Sequence, residues 1–374
     1  MNDGQRANRK NITELVQPHL LDLPGYTPVE PVDVMARRLG VPEDRIAKLD
    51  GNENPYGPSP KVAEALSRYR YYHIYPDPAQ RNVREAIGRY LDVDSEQVVL
   101  GSGSDELLAL AAQLFLAPGD TLLDAPPTFG MYEFLGRLHN ARIVEVPRRE
   151  DFEIDMPALE SALARGAKLL YLASPNNPTG NTLSPQDLDR LLSFNTVVVI
   201  DEAYAEFAGQ TFVELTTHYD NLIVVRTFSK WAGLAGLRAG YAVFPKPLVP
   251  ILWSMKVPYN LGVAAEQAVL ASLEDADYLR DNVRRIVEER ERMAARLNDL
   301  GWVRPYPSRA NFILCEIQRL PARNVRDELR KRGILTRYFD SAGLHNCLRI
   351  SVGRPRDTDR VIEALTEIGE GVRA

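Results

Sequence analysis

Thr227-Phe228-Ser229-Lys230, followed by Gly233-Leu234-Ala235-Gly236-Leu237-Arg238, brings an amine, a hydroxyl and a guanidinium together around a glycine-rich turn. The run before it, Leu222-Ile223-Val224-Val225, is short, apolar and β-branched, which reads as a buried strand. A strand that empties into Ser-Lys sets one amine at the rim of a sheet, beside small residues that let a ligand approach the backbone. A Schiff base between lysine and pyridoxal phosphate needs this set: a nucleophilic amine, a hydroxyl and a guanidinium for the phosphate, and room for the ring. A Ser-Lys pair after a strand is more often a surface feature, so the residues delivered by the other strands decide the reading.

Val98-Val99-Leu100 is followed by Gly101-Ser102-Gly103-Ser104-Asp105, which opens a helix expected over Glu106–Ala117. Free N–H groups and the positive dipole end at such a terminus suit a phosphate. Leu169–Leu172 leads into Ser174-Pro175-Asn176-Asn177-Pro178-Thr179-Gly180, a proline-bracketed loop that can hold an asparagine amide against a ligand oxygen or serve as plain turn chemistry. Val197–Ile200 leads into Asp201-Glu202-Ala203-Tyr204. A carboxylate there could cap a helix, bind a metal or pair with a protonated ring nitrogen. No His or Cys neighbour supports a metal, and with Lys230 one βα unit later Asp201 fits the ring-nitrogen role.

The elements that must position these residues alternate from about residue 80 to 245. Apolar runs at Thr121–Leu123, Ile143–Val146 and Tyr241–Phe244 join those above as expected strands, with helices between them. One helix begins at Ser184-Pro185-Gln186-Asp187, with a serine cap and proline at the first helical position. Alternating βα units whose strands are apolar on both faces predict an α/β fold with a mostly parallel sheet covered by helices. Ligands of such sheets bind beyond the carboxyl ends of the strands. After about residue 270 the pattern changes to a long charged helix (Tyr278 to Asp299), strands at Phe312–Ile317, Ile334–Tyr338 and Leu348–Val352, and helices near Val325–Arg332 and from about Asp357. The expected organisation is an arm and part of a small domain in 1–45, a large domain in 46–270, and a small α+β domain in 271–374.

With 45% hydrophobic and 26% charged residues the composition is that of a globular protein with a substantial core. A net charge of −6 leaves no footprint for nucleic acid or an anionic membrane. Cys315 and Cys347 lie in apolar strand-like contexts, are expected as buried thiols and make no metal motif. The polar start Met1-Asn2-Asp3-Gly4 lacks the apolar core of a signal peptide, and the longest apolar run, Leu107 to Ala117, is too short to cross a bilayer. The expected location is the cytoplasm.

Asn-Asn-Pro-Thr-Gly, Asp-Glu-Ala-Tyr and Ser-Lys with a downstream arginine together resemble the fold-type I pyridoxal-phosphate aminotransferases. Leu49-Asp50-Gly51-Asn52-Glu53-Asn54-Pro55-Tyr56-Gly57-Pro58, Tyr75-Pro76-Asp77 and Gly233–Arg238 narrow the resemblance to the histidinol-phosphate aminotransferase family, from about residue 26 to the Leu348–Gly353 segment. The resemblance implies transamination of L-histidinol phosphate with 2-oxoglutarate, pyridoxal 5'-phosphate as cofactor, and a homodimer with shared active sites. It implies catalytic roles for Lys230, Asp201 and Tyr204. Asn177 and Tyr204 would bond the ring O3′, Tyr132 would lie over the ring, and Ser229, Arg238 and the backbone of Gly103-Ser104-Asp105 would hold the phosphate. Tyr75 would reach the neighbouring subunit's cofactor, and Tyr26, Asn54, Arg337 and Arg349 would bind substrate. An aromatic or broad-specificity aminotransferase is the alternative within the same chemistry, and a related decarboxylase is the alternative across reaction classes.

Overall fold

The computed structural model describes residues 11–25 and 29–371. Its strands, in chain order, are β1 (Ala47–Leu49), β2 (Val98–Ser102), β3 (Thr121–Asp124), β4 (Arg142–Glu145), β5 (Leu169–Ala173), β6 (Val197–Asp201), β7 (Leu222–Thr227), β8 (Ala239–Val243), β9 (Val303–Pro305), β10 (Phe312–Ile317), β11 (Ile334–Tyr338) and β12 (Cys347–Ser351). Seven of them form the larger sheet in the order β2-β8-β7-β6-β5-β3-β4. The β3, β4, β5, β6 and β7 neighbours pair in parallel, whereas β8 is antiparallel to both β2 and β7.

The apolar runs expected as strands are strands because both of their faces are buried. Leu170, Leu172, Val198, Ile200 and Val224 pack on one side with the helices Met156–Ala164 and Pro185–Leu192. Their chain neighbours Tyr171, Val199, Ile223 and Val225 pack on the other with Gly103–Phe115 and Met131–Leu138. The period of two along each strand thus feeds two cores from one sheet. Ser184 caps its helix as its position predicts, its Oγ accepting from Asp187 N at 3.0 Å. The helix after β2 starts at Gly103, three residues before the expected Glu106, so the Gly-Ser pair lies inside its first turn.

The second sheet runs β1-β11-β12-β10-β9. Its first strand comes from a segment expected in the large unit: Ala47 pairs in parallel with Ile334 and Leu49 with Thr336. The chain crosses between the sheets directly after Leu49, so Asp50-Gly51-Asn52 lies at their junction. Glu30 pairs with Arg330 at 2.6 Å, tying the segment before β1 to the same unit. Cys315 and Cys347 are buried free thiols, and burial pushes both upward, Cys347 to about 12.

Beneath the β6 and β7 ends lies a buried charge cluster. Arg226 Nη2 meets Glu206 at 2.7 Å and its Nε lies 3.8 Å from Glu202, all three side chains being almost inaccessible. Glu202 also accepts from Thr211 Oγ1 at 2.6 Å and from Phe212 N at 2.5 Å. Removing Arg226 would strand two buried carboxyls. We expect Arg226→Met to lower the unfolding free energy by about 3–5 kcal/mol at pH 8. The loss should be smaller at pH 5.5, because burial already pushes Glu202 up to about 7 and protonation relieves the charge. Urea titrations at the two pH values measure this, and an equal loss at both would contradict the assignment.

Candidate active site

Parallel strands deliver their last residues to one edge of a sheet, and the antiparallel β8 adds its preceding residue to that edge. Ser102–Asp105 after β2, Asp201 at the end of β6, Thr227–Lys230 after β7 and Arg238 before β8 are thereby brought together. Ser104, Asp105, Asp201, Thr227, Ser229, Lys230 and Arg238 line a cleft of about 1140 Å³ between this edge and the second sheet, which contributes Arg337 from β11 and Arg349 from β12. Arg337 and Arg349 are register partners on adjacent strands, as expected for two cations that converge.

Lys230 Nζ donates to Gly51 O at 3.0 Å. Burial, then the Arg349 charge, pushes the amine down to about 8, which raises its neutral fraction near neutral pH well above that of an ordinary lysine. Asp201 is buried; its Oδ2 accepts from the Tyr132 hydroxyl at 2.9 Å and its Oδ1 from Ala203 N at 3.0 Å. Burial pushes this carboxyl up to about 6, while Tyr132, Ala203 and the Lys230 cation draw it back. Tyr204 OH accepts from Asn52 Nδ2 at 2.9 Å. Arg349 donates to Asn177 Oδ1 at 2.6 Å and to Asp50 O at 2.5 Å, joining the second sheet to two loops of the first unit. Thr227 Oγ1 donates to Ser229 Oγ at 3.0 Å.

At the helix terminus the fit is close. Gly103 has φ +77, and a Cβ there would lie 2.4 Å from Arg238 Nη2; a Cβ on Gly240 would lie 2.6 Å from Ser104 N. The backbone therefore leaves room beside Arg238 that any side chain would fill, as a phosphate cradle demands. Arg238 also pairs with Asp105 at 2.8 Å, which holds the guanidinium over the first turn. A hydroxyl, a guanidinium, backbone N–H groups, a low-affinity amine and a buried carboxylate are the donor set that a phosphorylated heterocyclic aldehyde would need.

Tyr132 is 0% exposed, its face stacked on Tyr171 with ring centroids 5.1 Å apart, so it is part of the core with only its hydroxyl directed at Asp201. Phe129, whose ring meets Tyr132 edge-on at 5.7 Å, lines the cleft together with it. Asn54 turns away from the cleft: its Nδ2 donates to Trp231 O and its Oδ1 accepts from Tyr56 N, both at 2.9 Å. Asn52 takes the place at the cleft, in a left-handed conformation with φ +54 and with its Oδ1 accepting from Ser351 Oγ at 2.8 Å. The signal for Asn52 was its place in the same motif, where an asparagine tolerates φ above zero. Tyr75 is 79% exposed and stacks on Tyr259 at 4.6 Å, outside this chain's own cleft. Tyr26 lies outside the described residues.

The sequence model of the family described as Aminotransferase class I and II matches residues 44–365. The chain belongs to that family. Among its curated relatives, a histidinol-phosphate aminotransferase of Roseiflexus castenholzii is 49% identical over 96% of this chain and 99% of that protein. The chloroplastic histidinol-phosphate aminotransferase 1 of Arabidopsis thaliana is 42% identical over 96% of this chain and 87% of its own length. Among solved structures, histidinol-phosphate aminotransferase from Sinorhizobium meliloti, in complex with pyridoxal-5'-phosphate, superposes with a TM-score of 0.86 at 28% identity, covering 96% of this chain and 98% of that one.

The buried carboxyls give the site a pH signature. Asp201 is pushed up to about 6 and Asp124 and Glu202 to about 7, mainly by burial. The folded chain therefore keeps protons that the unfolded chain has already lost, and folding stability must fall as pH rises through this range. For the protein without added ligands, unfolding free energy is expected to decline from about pH 4.5 to about pH 7.5, as read by denaturant titration; a rise across that window would contradict the placement of these groups.

Proposed function

We propose that this chain transfers the amino group of L-histidinol phosphate to 2-oxoglutarate, reversibly giving imidazole acetol phosphate and L-glutamate, a reaction of histidine biosynthesis. The observation that carries this reading is the set of residues on one sheet edge, Lys230, Asp201, Ser229 and Arg238, facing the paired arginines Arg337 and Arg349 across the cleft. The relatives named above, alike over nearly the whole chain, support the same reaction.

Pyridoxal 5'-phosphate supplies, when bound, a protonated pyridine that accommodates negative charge from the substrate carbon. Lys230 is the amine that holds it and, with its lowered proton affinity, the base that moves a proton near neutral pH. Asp201 would pair with the ring nitrogen, where a cation would draw its raised carboxyl into the charged form. Asn177 and Tyr204 would bond the ring oxygen, and Ser229, Arg238 and the N–H groups of Gly103–Asp105 would hold the phosphate. Phe129, on the cleft wall, would cover the ring face. Arg349 grips the anion common to both substrates, because a planar guanidinium suits carboxylate and phosphate alike. Arg337 adds a second cation for the phosphate, with Tyr26 closing on the same group. Exposed Tyr75, with its neighbours Tyr71, Tyr72 and Ile74, lies on a surface suited to a second copy of the chain, and Tyr75 serves that copy's site. The enzyme is a homodimer of the cytoplasm, and its two half-reactions share one site, which gives ping-pong kinetics.

Lys230→Ala is expected to abolish turnover and the visible absorption band of the holoenzyme while leaving the circular dichroism of the fold. Borohydride reduction followed by peptide mapping checks the same residue, and a label on another lysine would refute it. Arg337→Ala should reduce kcat/KM for histidinol phosphate far more than for glutamate. Loss of a charge-assisted contact costs about 1.5–3 kcal/mol, or roughly ten- to more than a hundred-fold. Arg349→Ala should damage both half-reactions. Equal losses for the two substrates in Arg337→Ala would remove the phosphate-specific role.

A further inference from the structure

The cleft extends past the cofactor residues along the ends of β3 and β4, where two buried charged side chains have no part in the chemistry above. Asp124, the last residue of β3, is 4% exposed and lines the cleft. Among the described residues its carboxyl accepts one hydrogen bond, from Ala125 N to Oδ1 at 2.9 Å. Arg148, after β4, is 9% exposed and lines the same part of the cleft. Its backbone N donates to Pro126 O at 2.7 Å, its Nε to Ala125 O at 3.2 Å and its Nη1 to Phe152 O at 3.1 Å. Those bonds fasten Arg148 to the residues that follow Asp124. Its Nη2 is buried with no hydrogen-bond partner among the described residues.

Buried donors and acceptors are nearly always satisfied, because an unfilled one forfeits its bond to water. Here a donor and an acceptor with spare capacity both line one end of a ligand cleft. Glu133, also on the cleft wall, is taken by Arg137 at 2.6 Å and does not compete for Arg148. Burial acts on both members: it pushes Asp124 up to about 7 and Arg148 down to about 10, as expected for charged groups waiting for a partner in a dry site. The paired arginines that would take the phosphate arm of the substrate belong to the second sheet, whereas Asp124 and Arg148 belong to the first, so the two arms of a branched substrate would diverge toward them.

Resting on the function proposed above, we propose that Asp124 and Arg148 form the subsite that reads the substrate's imidazole ring. Asp124 accepts from the ring N–H and Arg148 Nη2 donates to the other ring nitrogen. A neutral imidazole carries one donor and one acceptor, which is the complement of this pair. A phenyl ring carries neither and would leave both groups buried and unfilled, which is how a polar site rejects an apolar analogue.

The test compares half-reactions of the holoenzyme with histidinol phosphate, phenylalanine and glutamate in the wild type, Asp124→Ala, Asp124→Asn and Arg148→Met. The preference for histidinol phosphate over phenylalanine should fall roughly ten- to a hundred-fold in Asp124→Ala and in Arg148→Met, with a smaller fall in Asp124→Asn, whose amide oxygen still accepts. The glutamate half-reaction should change less than the histidinol phosphate one. Retention of the cofactor band and of circular dichroism verifies the fold of each variant, and Asp124→Asn decides the matter if the alanine variant does not fold. A wild type that prefers histidinol phosphate, with the preference unchanged in the folded variants, would overturn this subsite and leave the function standing. A wild type that prefers phenylalanine would overturn the function itself.

Discussion

Strands that run in one direction must end on one edge of their sheet, and every polar group of the cofactor side of this protein is gathered by that constraint. Asp201 and Lys230 come from β6 and β7, which are neighbours in space and paired in parallel, with Asp201 level with Val225. Arg238 precedes its strand yet reaches the same edge, because β8 runs against its neighbours. Reversing one strand is what allows a residue eleven positions after Thr227 to meet the first turn of the helix after β2. The buried Arg226–Glu206–Glu202 cluster lies under the same two strand ends and locks their relative placement.

Burial does opposite things to the two groups at the centre of the site. It lowers the proton affinity of Lys230 and raises that of Asp201, so each is brought toward the range in which a small change of neighbours alters its charge. Arg349 takes part in that balance because its charge, next to burial, lowers the proton affinity of Lys230, and it does so from the second sheet. Its bonds to Asn177 and to the carbonyl of Asp50 make one side chain both a substrate candidate and a tie between the two units. Substrate-side chemistry and cofactor-side chemistry are therefore mechanically joined through a residue that belongs to neither strand of the central pair.

Much of this was legible in the chain. The seven apolar runs of the large sheet, the Ser184 cap, the cleft-lining Ser229, Lys230, Asp201, Arg238 and Arg349, and the three later strands follow from period, capping and motif order, which are local properties. What misled was side-chain direction. Tyr132 and Phe129 sit in one short segment and both line the cleft, and only packing decided that the Tyr132 ring would stack on Tyr171 with its hydroxyl on Asp201. Asn52 and Asn54 lie two residues apart in one motif, and the left-handed turn at Asn52 sends one amide to Tyr204 and the other to the backbone of Trp231.

The elements and the inventory of reactive groups are readable in the chain, because strand and helix periodicity, caps and glycine-rich turns are written in neighbouring residues. Only the tertiary structure decided that Ala47–Leu49 joins the second sheet, since pairing with Ile334–Thr336 is a contact nearly three hundred residues long that no local pattern encodes. That pairing places Asp50–Asn52 between the sheets, and packing of the larger sheet likewise buries Asp124 and Arg148. A buried charge and its missing partner have no signature in sequence, because burial is a property of everything that surrounds a residue and not of the residue itself.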